Sequence, residues 1–303
     1  MQLKTTRVRA SLGVLLGVCG SVGVSNIGLT AGAAGAFSAP AHTRASFAAT
    51  PRPAMLTAAD RASFARLASS LGGRSGVAVS PLGMGQRVQA AGTFRSAVAW
   101  STAKVPIAMA VVTAGGGTSR QGDLRQAITA SDNAAAERMW SSLGAPSVAA
   151  SKATDQLRVA GDRRTVVQSQ RLRADFTAFG QSSWRLTDQA RFTAGMPCLA
   201  AGKQALALMG KVIPAHRWGL GATKAKARFK GGWGPGTNPG GAGGYIDRQM
   251  GVLTVRGKPF AVTIATAPAD GTHETGSQHL TTIARWVVTH VGVRGIPAKA
   301  RCS

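Results

Sequence analysis

The sequence predicts an α/β protein of the α+β kind, in which an antiparallel sheet with flanking N- and C-terminal helices is interrupted by an all-helical part. Three observations predict this fold. Strand-like segments cluster towards the two ends of the folded region, and residues 101–214 are mostly helical in pattern. The composition, with 44% hydrophobic and 16% charged residues, is that of a globular protein. We expect one domain at residues 56–303, with its sheet part at 56–100 and 215–303.

The N-terminal elements are predicted to be one helix and a β-hairpin. Thr57 and Asp60 form a T-x-x-D capping pattern, and apolar residues then recur at helical spacing until Gly72. Residues 76–80 and 87–91 are strand-like, and the Pro-Leu-Gly-Met-Gly segment between them has turn chemistry. Because the two strands of a hairpin run in opposite directions, this part of the sheet should be antiparallel.

The C-terminal elements are predicted to be a loop, two strands and a helix. We interpret residues 231–244 as a Gly-rich loop, followed by strands at 246–255 and 259–265 around a turn at Gly257. The last helix has an apolar stripe at 3.6-residue spacing and ends at Gly292. The stripe comprises Leu280, Ile283, Ala284, Val287 and Val291.

The first 36 residues have the pattern of a secretory signal peptide. Basic residues precede an apolar stretch and a small A-x-A cleavage site. These features are Lys4, Arg7 and Arg9, residues 12–24, and residues 34–36. Retention as a membrane anchor is the alternative, although Gly, Ser and Asn interrupt the apolar stretch early for a stable span. We expect cleavage, a flexible Ala/Ser/Thr/Pro-rich spacer at 37–55, and a secreted, cell-wall-associated protein.

The net charge of +25 indicates an affinity for anions. Removal of the signal would take away three of the 36 Lys and Arg residues and none of the 11 Asp and Glu, leaving a formal +22. Outside a cell the anionic partners are more often wall polymers and lipid head groups than nucleic acid. Aromatic residues make up only 5% and do not interleave with basic patches, so we expect no nucleic-acid partner. We expect a monomer.

Cysteine and histidine positions favour a disulfide and no metal site. Cys19 would leave with the signal, so Cys198 and Cys302 remain as a possible pair in an oxidising compartment; two buried thiols are the alternative. The histidines outside the spacer show no metal-ligand spacing and suit surface or packing positions. They are His216, His273, His279 and His290. We expect no metal and no cofactor.

Ser101 and Lys104 form the motif with the clearest chemistry. They precede the apolar run 105–112, and their spacing puts both side chains on one helical face. A serine hydroxyl needs a base at pH 7, and a lysine desolvated by an apolar helix can be that base. Alone, S-x-x-K is common, and its ordinary interpretation is a helix start with an exposed lysine in the first turn. Two further motifs follow it, S-D-N at residues 131–133 and K-G-G at 230–232.

The three motifs, in this order, resemble the S-x-x-K, S-D-N and K-T-G set of the serine β-lactamases and penicillin-binding proteins. Within that superfamily the chain is most similar to the class A β-lactamase-like serine hydrolases, over about residues 57–295. The resemblance implies an active site in the cleft between sheet part and helical part. It also implies acylation at Ser101 by β-lactams or related D-Ala-type acyl peptides, followed by hydrolysis.

The resemblance also implies residue roles. Ser101 would be the nucleophile, Lys104 its base or proton relay, and Ser131 the carrier of a proton to the leaving nitrogen. The oxyanion hole would be the backbone N–H groups of Ser101 and Trp233. The substrate-binding residues would be Asn133, Lys230, Gly232, Trp233 and Arg248, with Arg248 on the substrate carboxylate.

The sequence departs from the class A pattern in three places. Gly231 replaces the hydroxyl residue of K-T-G, which puts recognition of the substrate carboxylate in doubt. The segment between the first two motifs is short, which predicts a more open cleft. The only glutamates, Glu137 and Glu274, cannot lie on the omega loop, where the family has its water-activating glutamate.

An ungapped match of the omega loop puts Arg171 at the glutamate position and Asp175 at that of the water-holding asparagine. Asp175 is therefore a candidate base for hydrolysis of the acyl-enzyme, although an Asp beside Arg171 and Arg173 is more often an ion-pair partner. We expect slow deacylation.

Two other functions compete with this interpretation. One is a penicillin-binding-protein-like D,D-carboxypeptidase or transpeptidase acting on wall peptides. The other is a catalytically silent wall-binding module held by its basic surface. A binding module has no need of a nucleophile with its base, so the residues Ser101, Lys104, Ser131 and Asn133 argue against it.

Overall fold

The computed structural model of the chain describes residues 54–236 and 244–302. The predicted signal peptide and the predicted spacer up to residue 53 lie outside the described residues. Met55, which the sequence analysis put in the spacer, is instead 1% exposed and packs in the core, as expected of an apolar side chain. Across the two described ranges, no helix combines the length and the apolar character needed to cross a bilayer.

Within residues 54–236 and 244–302, seven strands form two antiparallel sheets. They are β1 Arg74–Pro81, β2 Gln89–Gly92, β3 Ser96–Val98, β4 Ser183–Arg185, β5 Lys226–Pro235, β6 Tyr245–Val255 and β7 Lys258–Ala267. The main sheet has the order β2-β1-β7-β6-β5, and β3 pairs with β4 in a separate two-stranded ribbon. The predicted antiparallel sheet from both ends of the folded region is confirmed.

Eight α-helices accompany the strands in the described ranges. They are α1 Ala58–Leu71, α2 Lys104–Val111, α3 Gln121–Thr129, α4 Asn133–Ser142, α5 Pro146–Val159, α6 Leu186–Gly195, α7 Ala200–Met209 and α8 His273–His290. The start of α1 has the predicted capping box, in which Thr57 and Asp60 each accept a backbone N–H of the other. This reciprocal pair satisfies two N–H groups that the helix itself cannot.

Two predicted boundaries are wrong. Residues 231–235 belong to β5 and not to a loop, because they pair with β6 in the register Gly231↔Gln249 to Pro235↔Tyr245. Residues 183–185, which we read as part of the helical region, form β4 because they pair with β3 at Val98↔Ser183. In both cases long-range pairing overrides a local pattern that is weak for strands.

Two large hydrophobic clusters hold the elements together. One lies between the main sheet and the pair α1 and α8, where Phe64 packs edge-on against Trp286 at 4.9 Å between ring centroids. The other surrounds α2, whose eight residues are all buried. A helix that is apolar all round must lie inside the protein, so α2 can position the residues at its start rigidly.

The sulfur atoms of Cys198 and Cys302 form a disulfide, with 5.3 Å between their Cα atoms. This bridge joins the segment before α7 to the C-terminus across 104 residues of sequence. Arg301 beside it also donates its N–H to Leu82 O, so the C-terminus is bound to the end of the main sheet as well.

Candidate active site

Ser101 lies in a 3-10 turn, Trp100–Ala103, that leads directly into α2. The residue before it, Trp100, has a φ of 46°, which is uncommon for a residue with a bulky side chain. Such a conformation persists only where the surroundings hold it, and here the Trp100 ring packs against Phe176 at 5.0 Å. The turn therefore holds Ser101 at the edge of the core, partly exposed.

Lys104 is buried one turn after Ser101, with only 1% of its surface exposed. Its Nζ donates to Asn133 Oδ1 at 2.7 Å, to Ser131 O, and more weakly to Ser131 Oγ at 3.4 Å. Burial lowers the pKa of Lys104 to about 7, and the negative charges of Asp132 and Glu137 only partly oppose this. A large share of Lys104 is thus neutral near pH 7 and able to accept a proton.

Ser131 and its neighbours connect α3 to α4. Ser131 has a φ of 59°, and Asp132 caps α4 by accepting the Ala135 N–H at 2.6 Å. The cap explains Asp132 as a structural residue, whereas Ser131 and Asn133 turn their polar atoms towards Lys104. The S-D-N segment thus combines one structural residue with two that face the site.

Lys230 reaches the same serine from the main sheet. It lies on β5, is 2% exposed, and donates from Nζ to Ser131 Oγ at 2.8 Å and to Gly231 O at 2.7 Å. Burial, followed by the positive charge of Lys104, holds the pKa of Lys230 well below its ordinary value. Two buried lysines, one from each part of the fold, therefore share the Ser131 hydroxyl.

The glycine at position 232 lets β5 approach the nucleophile. A Cβ atom there would lie 2.9 Å from Ser101 N, Thr102 N and Ala99 O, which is closer than side chains tolerate. The backbone of Gly232 and Trp233 consequently runs directly against the turn that carries Ser101. This contact brings together the two segments whose N–H groups the sequence analysis assigned to an oxyanion hole.

Arg248 does not face the cleft, which corrects the sequence-based assignment to a substrate carboxylate. The side chain is fully buried, and its guanidinium donates to four oxygen atoms of the protein interior. The acceptors are Ala97 O at 3.0 Å, Val98 O at 3.0 Å, Trp184 O at 3.1 Å and Gln189 Oε1 at 2.8 Å. Side chains alternate between the faces of a strand, and Arg248 points to the face where carbonyls of β3 and β4 accept its hydrogen bonds. Arg248 therefore joins that ribbon to the main sheet.

The Ser101 cleft, by which we mean the cavity of about 370 Å³ beside Ser101, has one charged wall. Asn133, Glu137, Arg171, Asp175 and Trp233 all line it. Arg171 Nη2 forms an ion pair with Glu137 Oε1 at 3.0 Å.

Asp175 lies in the cleft but is not in the ion pair that its position beside two arginines suggested. Arg171 pairs with Glu137, and Arg173 stacks on Trp100 and Phe176 while donating to Pro235 O and Gly236 O. Within the described ranges, neither arginine forms a salt bridge with Asp175.

Glu137 is the cleft residue that sequence reasoning missed. It was set aside because it cannot lie on the omega loop, yet it reaches the cleft from α4. Glu137 follows Asn133 by four residues, and i,i+4 residues share one face of a helix. That spacing was the available signal: once Asn133 is placed in the site, Glu137 must point the same way.

An aromatic cluster, defined as His216, Trp218, Trp233 and His273, extends the cleft along β5. The Trp233 ring is stacked on His273 at 5.2 Å and lies edge-on to His216 at 5.1 Å and to Trp218 at 5.6 Å. Burial and the charges of Lys230 and Lys104 lower the pKa of His216. His273 Nδ1 is 2.5 Å from Oδ1 of the buried Asp247. These histidines hold packing positions, and no group of side chains in the described part of the chain has a metal-binding arrangement.

Comparison with known proteins gives a clear answer for structure only. No protein-family model matches the sequence, and no curated protein matches it. Among solved structures, a class A β-lactamase from Mycobacterium abscessus is similar over 76% of this chain and 98% of its own, with a TM-score of 0.58 at 16% identity. The chain has the fold of the class A β-lactamases. An ancestral class A β-lactamase is similar over 76% of this chain and 98% of its own, with a TM-score of 0.56 at 20% identity. The TLA-3 extended-spectrum β-lactamase is similar over 74% of this chain and 97% of its own, with a TM-score of 0.57 at 13% identity.

Identity of 13 to 20% to these class A β-lactamases describes a shared fold and not a shared activity. The chemistry of this chain must therefore be inferred from its own site residues. What the β-lactamase fold adds is the arrangement that the sequence predicted, a sheet part and a helical part with Ser101 at their junction.

Proposed function

We propose that the protein is a serine hydrolase that becomes acylated at Ser101 by β-lactams or related acyl peptides. One observation carries this proposal: two buried lysines with lowered pKa, Lys104 and Lys230, converge on Ser131, and Asn133 of the same segment lines the cleft that holds Ser101. Burying two lysines together is costly for a fold, and structural packing does not require it. Proton transfer to and from a serine, in contrast, does require basic groups with suitable pKa values beside it.

In the first step, Lys104 in its neutral form accepts the Ser101 hydroxyl proton while Oγ attacks the substrate carbonyl carbon. The developing oxyanion is stabilised by the N–H groups of Ser101 and Trp233, and one such donor is typically worth about 3 kcal/mol. As the C–N bond breaks, the Ser131 hydroxyl protonates the leaving nitrogen. Lys104 and Lys230, which both contact Ser131 Oγ, return a proton to it.

Substrate binding rests on Asn133, Lys230 and the β5 backbone. Asn133 would bind the substrate amide, and Lys230 would face the carboxylate. Arg248 is buried and Gly231 has no hydroxyl, so neither residue can assist Lys230, and burial together with the charges of Lys230 and Lys104 keeps the pKa of His216 below its ordinary value. Carboxylate recognition should therefore be weaker than where an arginine is available.

Hydrolysis of the acyl-enzyme needs a base for water, and two carboxylates line the Ser101 cleft. Asp175, the candidate from the sequence, is exposed. Glu137 is partly buried, and its ion pair with Arg171 orients the carboxylate but also engages one of its oxygen atoms. We infer slow deacylation, with Glu137 the better-positioned base and Asp175 the alternative.

A long-lived acyl-enzyme also suits the second candidate, a D,D-carboxypeptidase or transpeptidase acting on wall peptides. The observation that favours it is the Arg171–Glu137 ion pair, which occupies the only glutamate in the cleft. A silent wall-binding module is the third candidate. Of the three candidates, the binding module has the least support from the two buried lysines that converge on Ser131. On all three interpretations we propose export, from the pattern of the first 36 residues.

The test is intact mass measurement after incubation with a penicillin. The expected result is an adduct of one penicillin per chain that forms quickly and decays slowly. Ser101→Ala should abolish the adduct without loss of fold, whereas Ser96→Ala, a matched control at an exposed serine on β3, should leave labelling unchanged. Labelling that survived Ser101→Ala would place the nucleophile elsewhere. No adduct and no hydrolysis in the unmodified protein would remove the β-lactam substrate class.

A further inference from the structure

A second cavity, of about 640 Å³, is larger than the Ser101 cleft and shares no lining residue with it. It lies where the turn at residues 83–86 meets the C-terminal end of α5 and the first turn of α6. A volume of this size is typical of sites for small organic ligands, which need about 300 to 1,000 Å³. The Ser101 chemistry uses none of its residues.

Four arginines line this second cavity, which we call the arginine cavity: Arg158, Arg163, Arg164 and Arg191. The one acidic residue in the lining is Asp188, whose Oδ1 accepts from Arg191 Nη1 at 2.7 Å. Four guanidinium groups thus face one carboxylate.

The remaining arginines keep their charge available. Arg158 Nη1 donates to Asp162 O, a neutral carbonyl, at 2.7 Å. The Asp162 carboxylate is turned inwards, where it accepts the backbone N–H groups of Arg164 and Thr165 and the Trp184 indole N–H. Arg163 and Arg164 are exposed at the rim. The cavity therefore has an excess of positive charge that the described protein groups do not neutralise.

Asp188 supplies a second, independent observation. Its side chain is buried, with the residue 2% exposed, and its Oδ2 has no hydrogen-bond partner among the described residues. A buried carboxylate oxygen without a donor is unfavourable. Oδ2 is enclosed in the free protein, but Asp188 lines the cavity, so a small rotation of its carboxylate on ligand binding would bring Oδ2 to a ligand hydroxyl group. Guanidinium groups match the oxygens of phosphate in paired hydrogen bonds. The lining thus suits a ligand that carries a phosphate and a hydroxyl group.

We propose that the arginine cavity binds phosphate esters of polyols, with the phosphoryl group on the arginines and a ligand hydroxyl on Asp188 Oδ2. Binding is independent of acylation at Ser101. The same chemistry occurs in a free polyol phosphate, in a polyol phosphate chain and in a glycerophospholipid head group. One experiment with a separate ligand for each of these three sources distinguishes them.

The experiment measures binding of the full chain to sn-glycerol 3-phosphate and inorganic phosphate by calorimetry, and to soluble poly(glycerol phosphate) and phosphatidylglycerol vesicles by sedimentation. Each paired guanidinium–phosphate contact is worth about tenfold in affinity. The double variant Arg163→Gln/Arg164→Gln should therefore lose at least tenfold for glycerol phosphate. The matched control is Arg95→Gln/Arg185→Gln, two exposed arginines beside a different cavity, which removes the same charge and should change affinity less than threefold.

Asp188→Asn tests the hydroxyl contact. It should reduce the preference for glycerol phosphate over inorganic phosphate, while melting temperature reports whether the fold is retained. Equal weakening by both double variants, or no binding of glycerol phosphate at millimolar concentration, would overturn the proposal. If Arg163→Gln/Arg164→Gln weakens binding of the soluble polymer, the ligand is a polyol phosphate chain. If the double variant weakens binding of the vesicles alone, the ligand is a lipid head group. Ser101→Ala should bind normally, so this test is separate from the acylation test.

Discussion

Lys104 and Lys230 at the Ser101 cleft differ from the four arginines of the arginine cavity in how much water reaches their charged ends. The lysines are almost fully buried beside each other, and their pKa values are lowered. The arginines are partly or fully exposed at the protein surface, where water reaches their guanidinium groups. In our two proposals, burial is one condition that separates lysines that move protons from arginines that attract anions.

Arg248 is the case between these two groups. It is as buried as the lysines, yet four protein oxygens accept its hydrogen bonds, so its role is structural. Burial alone thus does not make a basic residue reactive; the number of acceptors around it also matters.

The largest expected effect comes from removing the base. Lys104→Met should lower the acylation rate by a penicillin about 10²- to 10⁴-fold, because general-base assistance is typically worth that much. Arg163→Met, at the rim of the arginine cavity, should leave the rate unchanged. Stopped-flow or quenched labelling measures both. Equal rates for Lys104→Met and the unmodified protein would break the distinction between the two groups.

Arg248→Met should lower the free energy of unfolding by about 3 to 5 kcal/mol, because buried oxygen atoms lose their donors. Urea denaturation measures the change, and the folded fraction should still be acylated. Failure of well-folded Arg248→Met to react would return Arg248 to the substrate site. Arg163→Met is the control, with an expected change within about 0.5 kcal/mol.

The two carboxylates of the cleft should differ in the second half of the reaction. The unmodified protein should show a burst of one equivalent and then slow turnover. Glu137→Gln should lower this residual turnover about tenfold or more without changing the burst, since water activation by a base contributes at least that much. Asp175→Asn is the matched control in the same cleft. A larger effect of Asp175→Asn would make the exposed carboxylate the base.

The pH dependence of acylation should follow Lys104. Its pKa is about 7, and the reactive form is the neutral one, so the rate should rise with pH through about 7 and level off above it. At pH 6 the rate should be about one-tenth of the plateau. Single-turnover labelling between pH 5.5 and 8.5 provides the profile. A rate that is flat or falls over this range would show that Lys104 is charged in the reactive state.

Local sequence determined much of this protein. The capping box of α1 and the apolar stripe of α8 follow from interactions within a few residues. S-x-x-K before an apolar run was enough to place a serine and a buried lysine on one turn, because helical spacing is the same in any protein. The fold class and the candidate nucleophile could therefore be predicted from the sequence alone.

The tertiary structure decided what distant segments do to each other. Strand alternation leaves two faces for Arg248, and only the packing of β3 and β4 shows that its face is the interior one. The pKa of Lys230 depends on its burial and on the charge of Lys104 from the other part of the fold, and the close contact of β5 with the Ser101 turn depends on a glycine 131 residues after Ser101 in sequence. The cavity of four arginines likewise joins α5, α6 and a turn of the main sheet. Burial and charge environment are sums over such long-range contacts, and no local pattern encodes them.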